Sequence, residues 1–105
     1  MKIIIPATAI NVESNLDLKF GKCKYFCIYD SHSDKVEFIK NNLSRQLEKR
    51  SEHLSALLKE WEIDTVVTTN IGPNMISTLE SEGIKIIVLN NIHQPIQDVI
   101  SKFKT

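Results

Sequence analysis

An excess of charge of one sign, a long apolar run and a disulfide framework are all missing from this sequence. Each absence closes off a class of function. Lys and Arg number 13 and Asp and Glu number 13, so no overall field draws nucleic acid or an anionic membrane. No apolar run approaches the roughly 20 residues that cross a bilayer. Met1–Lys2–Ile3 begins a strand rather than a signal peptide, so a cytoplasmic protein with no membrane partner is the expectation. Two cysteines make no disulfide scaffold. Glycine and proline occur three times each, and no repeat, linker or low-complexity tract interrupts the chain. Neither a GxGxxG nor a P-loop pattern is present to bind a nucleotide.

The composition that remains is 42% hydrophobic and 25% charged over 105 residues. That predicts one domain, residues 1–105, able to bury about two-thirds of its unfolded surface. Its organising stretch is Thr65–Pro73. The first half is β-branched and apolar, which reads as a buried strand. Gly72 then permits a tight turn, Pro73 suits the first turn of a helix, and Met75, Ile76 and Leu79 follow at helical spacing towards a stop at Gly83. The free N–H groups of such a helix point beyond the strand's C-terminal end, where an anion is favoured. An ordinary strand-to-helix turn accounts for the same residues.

Other elements follow from local pattern. Lys2–Pro6 and Lys85–Leu89 are apolar at their centres, as strands covered on both faces are. Tyr25–Tyr29 and Lys35–Ile39 form a hairpin across the turn residues Asp30–Asp34. Leu43, Leu47, Leu54, Leu57, Leu58 and Trp61 make one helical stripe that Arg50 interrupts. Either one helix runs from about Ser44 with a polar break, the reading slightly preferred, or the helix is capped at Ser51. Pro95 opens a last helix with Ile96, Val99, Ile100 and Phe103 on one face.

The order is therefore βββαβαβα. Parallel buried strands and right-handed crossovers give a five-stranded mixed sheet of order 3-2-1-4-5 with only strand 2 reversed. This is an α/β, three-layer, ribonuclease H-like fold. The first two helices share one face and the last covers the other. Chain order diverges between strands 1 and 4, and ligands of open α/β sheets favour the crevice at such a point. Asn41, Asn42, Asn70, Asn90 and Asn91 fall at that edge, as turn caps or as a polar lining. The loop from Ala7 to Lys19 is long enough to expect a functional role.

The combination "KIIIPAT", "FGKCKYF" (Phe20–Phe26), "NIGP" (Asn70–Pro73) and "EGIKIIV" resembles the dinitrogenase iron–molybdenum cofactor family. The resemblance spans nearly the whole chain. It implies a ribonuclease H-like fold and transient, non-catalytic binding of an iron–sulfur or iron–molybdenum-type cluster, in a carrier or accessory protein that meets cofactor-assembly proteins. On that footing Phe20, Gly21, Lys22, Cys23, Asn70, Gly72 and Pro73 are the cofactor-binding candidates. Many relatives carry a glycine-rich, often His-containing segment before the first helix, where this chain has Leu47–His53.

Soft clusters take thiolate or imidazole ligands. Cys23 stands among Lys19, Lys22 and Lys24, which would lower its pKa if it lies at the crevice mouth. It reads equally well as a small residue half-buried at a strand start. Cys27, about 13 Å further along an extended strand, cannot share an ion or a disulfide with it and reads as core. His93 is the candidate second metal ligand, with a plain surface-loop histidine as the reading preferred on its residues alone; His53 reaches the site only if its helix starts at Ser51, and His32 lies at the opposite edge. A two-metal nuclease needs clustered carboxylates, and Lys2–Pro6 and Thr65–Thr69 hold none. The alternative to a metallocofactor carrier is a metal-free module for a small anion or a protein partner. Two scaffold expectations complete the reading: Gly21 takes a backbone conformation unsuited to a Cβ, and Phe20 is buried.

Overall fold

The computed structural model describes residues 1–46, 48–91 and 93–104. Its elements are β1 (Lys2–Ala7), β2 (Tyr25–Asp30), β3 (Lys35–Lys40), α1 (Arg50–Glu60), β4 (Thr65–Thr68), α2 (Pro73–Ser81), β5 (Lys85–Val88) and α3 (Ile96–Ser101). The sheet runs β3-β2-β1-β4-β5. Pairing is antiparallel for β1–β2 and β2–β3 and parallel for β1–β4 and β4–β5. This is the ribonuclease H-like topology that the order of patterns predicts.

Alternation along the central strands builds two cores, because successive side chains leave a strand on opposite faces. Ile4, Phe26, Ile28 and Val66 join Leu54 and Leu58 of α1 and Met75 and Leu79 of α2 on one side. Ile3, Ile5, Cys27, Tyr29 and Val67 join Ile96, Val99 and Ile100 of α3 on the other. The helices thus divide between the faces as the crossover rule requires. Leu47, part of the expected helical stripe, and Ile92, in the loop after β5, lie outside the described residues.

The first helix corrects the slightly preferred expectation. It begins at Arg50 rather than near Ser44, and Lys49 before it is left-handed, with φ 55°. Arg50 does not break an apolar stripe; it opens the helix. Its guanidinium donates to the Leu43 and Ser44 carbonyls of the preceding turn, each at 3.2 Å. Leu43 still packs on the α1/α2 core, but from that turn.

The long loop after β1 has a structural task. Its Val12 and Ser14 carbonyls accept from the Gln97 and Ile96 N–H groups at 2.8 Å. They thereby close the first turn of α3, whose donors have no partner within the helix. Thr8 N–H donates to the Asn15 carbonyl, Asp17 N–H to the Pro6 carbonyl, and Ala7 bridges Leu16. The loop therefore fills the space beyond the end of β1.

Candidate functional site

The crevice at the C-terminal edge of the sheet has no β1 residue in its wall and lies towards the starts of α1 and α2. It has a volume of about 760 Å³ and is walled by three segments: Lys19–Lys22, Lys49–Glu52 and Asn70–Thr78. The Phe20 N–H donates to the Asn70 carbonyl at 3.2 Å and ties the first wall to the third. Gly21 has φ 98°, as expected of a residue turning between walls. A Cβ there would stand 3.0 Å from Met75 Cε and 3.5 Å from Arg50 Cδ, so the close approach also demands glycine.

The lining is cationic. Lys19, Lys22, Lys49 and Arg50 face it, against the single carboxylate of Glu52. In a chain with a formal net charge of zero, this concentrates positive potential at one place. The helix starts add to it. Neither α1 nor α2 has a side-chain cap at its N-terminus. Gly72 is extended at the start of α2 and Pro73 occupies its first turn. Among the described residues, no acceptor engages the Asn74 and Met75 N–H groups, in contrast to the closed first turn of α3.

Of the residues expected at the site, the structure brings Phe20, Lys22, Asn70, Gly72 and Pro73 to the crevice wall. Gly21 lies directly behind it. Cys23 is displaced. Its side chain is fully buried in the α1/α2 core, so the expected thiol at the crevice mouth is corrected. The neighbouring lysines do not lower its pKa either. Burial, joined by the Asp17 carboxylate, outweighs the opposing hydrogen bonds and pushes the thiol up to about 12. Asn41 fixes this arrangement, donating through Nδ2 to the Gly21 carbonyl at 3.0 Å and the Cys23 carbonyl at 2.9 Å. Its Oδ1 accepts from the Leu43 N–H at 3.0 Å. Asn41 is thus a buried clamp rather than lining.

The imidazoles do not assemble either. His93 is exposed on the loop after β5, its N–H donating to Asn91 Oδ1, and it stands apart from the crevice wall. His53 is exposed on α1 and contacts the Gln46 side chain, and His32 lies in the β2–β3 turn. Among the described residues, no group of three or more His, Cys, Asp or Glu side chains is placed to hold a metal ion. The donor set therefore does not fit direct coordination by Cys23 with His93. What fits a cluster here is charge. Lys49 and Arg50 complete the crevice wall, and in the sequence their one signal is the interruption of the apolar stripe at Arg50.

Cys27 is fully buried, as expected, and burial also pushes its thiol up to about 12. Both thiols are thus held neutral in the folded chain. Their contribution to stability is complete below the ordinary thiol range and is lost as pH rises from about 9 towards 12, because the unfolded chain releases protons that the folded one retains. The two together give a slope of at most about 2.7 kcal/mol per pH unit. Urea unfolding between pH 8 and 10.5 should show stability falling, with the fall about halved in Cys27→Ala. An unchanged slope in that variant would contradict the assignment.

The fold and the crevice define an α/β protein of ribonuclease H-like topology with a cationic pocket at its sheet edge. The model of the dinitrogenase iron–molybdenum cofactor family matches residues 1–105, and the chain belongs to that family. Among solved structures it is similar to PH0822, at 26% identity and TM-score 0.79, over 98% of this chain and 89% of that one. It is also similar to the apo form of the orange protein from Desulfovibrio gigas, at 19% identity and TM-score 0.85, over 97% and 85%. A third likeness is to TM1290 from Thermotoga, at 24% identity and TM-score 0.81, over 97% and 85%. No curated protein matches the sequence significantly.

Proposed function

We propose that this chain is a non-catalytic carrier or accessory protein for an anionic iron–sulfur or iron–molybdenum-type cofactor, which docks in the crevice between the starts of α1 and α2. Family membership supplies the cofactor class. The observation that carries the docking site is the gathering of Lys19, Lys22, Lys49 and Arg50 around one cavity. The cluster is cargo that arrives with its own ligands complete, because the nearest thiol is buried and protonated. A helix terminus contributes about 0.3–1 kcal/mol to an anion, whereas micromolar binding needs about 8 kcal/mol. Most of the affinity must therefore come from the cations and from apolar contact with Ile71 and Pro73, which line the crevice without being buried in the core. Partners on this reading are the assembly proteins that deliver and collect the cluster.

The test is anaerobic titration with a synthetic or extracted cluster, followed by visible absorption and the metal-to-protein ratio. Saturable uptake near one cluster per chain is expected, weakening with salt and weakened further in Lys22→Ala. Cys23→Ser is expected to bind like wild type, and loss of uptake in that variant would return the thiol to the mechanism. Absence of uptake by wild type would sink the metallocofactor reading. The lack of soft donors on the crevice wall then favours the second reading, a metal-free module for small anions.

A further inference from the structure

The four cations of the crevice differ in how they are held. Lys19, Lys22 and Lys49 are exposed, and among the described residues no side-chain hydrogen bond or ion pair fixes their ammonium groups. Each is a hydrated point charge on a flexible stem. Arg50 is half-buried and fastened. Its Nε donates to the Leu43 carbonyl and its Nη2 to the Ser44 carbonyl, both at 3.2 Å. Its Cδ lies 3.5 Å from the position a Cβ on Gly21 would take, so the stem is confined on that side by the chain itself.

A guanidinium carries five N–H hydrogens in one plane. The two turn carbonyls use two of them and leave three, both hydrogens of Nη1 included, on a residue that lines the cavity. The carbonyl bonds hold the plane before any ligand arrives, so little rotamer freedom remains to be lost on binding. We propose that Arg50 is the specificity-determining residue of the crevice. Its remaining donor edge, Nη1 with the second hydrogen of Nη2, selects anions that present two acceptor atoms side by side, such as an oxo or sulfido pair or a carboxylate, over anions of equal charge whose acceptors stand alone. The lysines supply attraction without geometry. This inference rests on the docking reading above and adds to it the chemistry of the cargo's outward face.

Two dianions separate charge from shape. Molybdate offers adjacent oxygen pairs, and tetracyanonickelate offers single, widely spaced nitrogens. Calorimetric titration of the full chain is expected to show wild type binding molybdate about tenfold more tightly than tetracyanonickelate, the scale of one two-pronged guanidinium contact. Arg50→Lys keeps the charge and loses the fork, so the preference should fall to about twofold through weaker molybdate binding. Lys22→Ala should weaken both probes by a similar factor. Retention of the preference in Arg50→Lys would overturn the proposal. If a thermal melt shows that Arg50→Lys does not fold, the wild-type ratio decides alone, and a ratio near one overturns it. Cluster uptake by wild type with no preference between the probes sinks this inference only. Failure to bind either probe or a cluster sinks the docking reading as well.

Discussion

Replacing Phe20 with alanine is expected to cost about 3 kcal/mol or more, within the range for emptying an enclosed aromatic site. The ring is 5% exposed and belongs to the core beneath α1 and α2. Its centroid lies 5.4 Å from that of Phe26 at an interplanar angle of 47°, a tilted aromatic pair. Truncation removes that contact and leaves a void between segments that cannot easily close, since the Phe20 N–H is tied to Asn70 and Asn41 clamps Gly21 and Cys23. A domain of this size has about 5–15 kcal/mol of stability in all, so the midpoint of urea unfolding should shift visibly at unchanged slope. Phe20→Leu should recover most of the loss. A change under about 1 kcal/mol would show that the ring does not anchor this loop.

Reversing two charges of the crevice, Lys22→Glu with Lys49→Glu, should weaken binding of a dianionic cluster about 30-fold at 0.1 M salt without disturbing the fold. Both lysines are exposed on the wall. Unit charges roughly 8 Å apart in water interact by about 0.5 kcal/mol, so two reversals against a dianion amount to about 4 kcal/mol unscreened. Screening at this ionic strength removes about half. The deficit should therefore shrink as salt is raised, and the same titration at low and high salt checks it. A deficit that does not respond to salt would mean that the lysines act through contact geometry instead of charge.

The fold was legible because its signals are local and redundant. The apolar centres of Lys2–Pro6 and Thr65–Thr69 have no other use than as buried strands, and the hairpin residues Asp30–Asp34 leave one connection between their neighbours. Lys85–Leu89 carries the same apolar centre and is a strand, but as the sheet edge β5 is only half-covered, with Val88 exposed, which corrects the expectation of burial on both faces. Strand ends fell within one residue for the same reason. The candidate site was legible only in part. Gly21, Phe20 and the Gly72–Pro73 turn are readable because φ, volume and the missing N–H of proline are properties of single residues. The position of the Cys23 thiol is not such a property. Which face of the entering chain turns inward depends on Asn41, eighteen residues away, whose amide holds the carbonyls on either side of Lys22. The lysine series around Cys23 suggested an exposed electropositive mouth, but lysines reach water from almost any register and report little about their neighbour's depth. Arg50 is ambiguous in the sequence because a cation in an apolar stripe fits a polar break and a helix start equally well. Only the left-handed Lys49 and the carbonyls of Leu43 and Ser44 decide between them.

The three walls of the crevice come from Lys19–Lys22, Lys49–Glu52 and Asn70–Thr78, far apart along the chain. No two of them are joined by a short turn, so the cavity cannot form from local structure. It comes into being only when β1 and β4 have paired and both α1 and α2 have settled on the sheet, a late event for contacts of such wide separation. During synthesis a ribosome-bound chain that stops short of α2 has its lysines but no enclosure in which to gather them. The folding chain therefore presents no half-built crevice, and the cavity can enclose an anion only after the polypeptide has been made at least as far as Thr78.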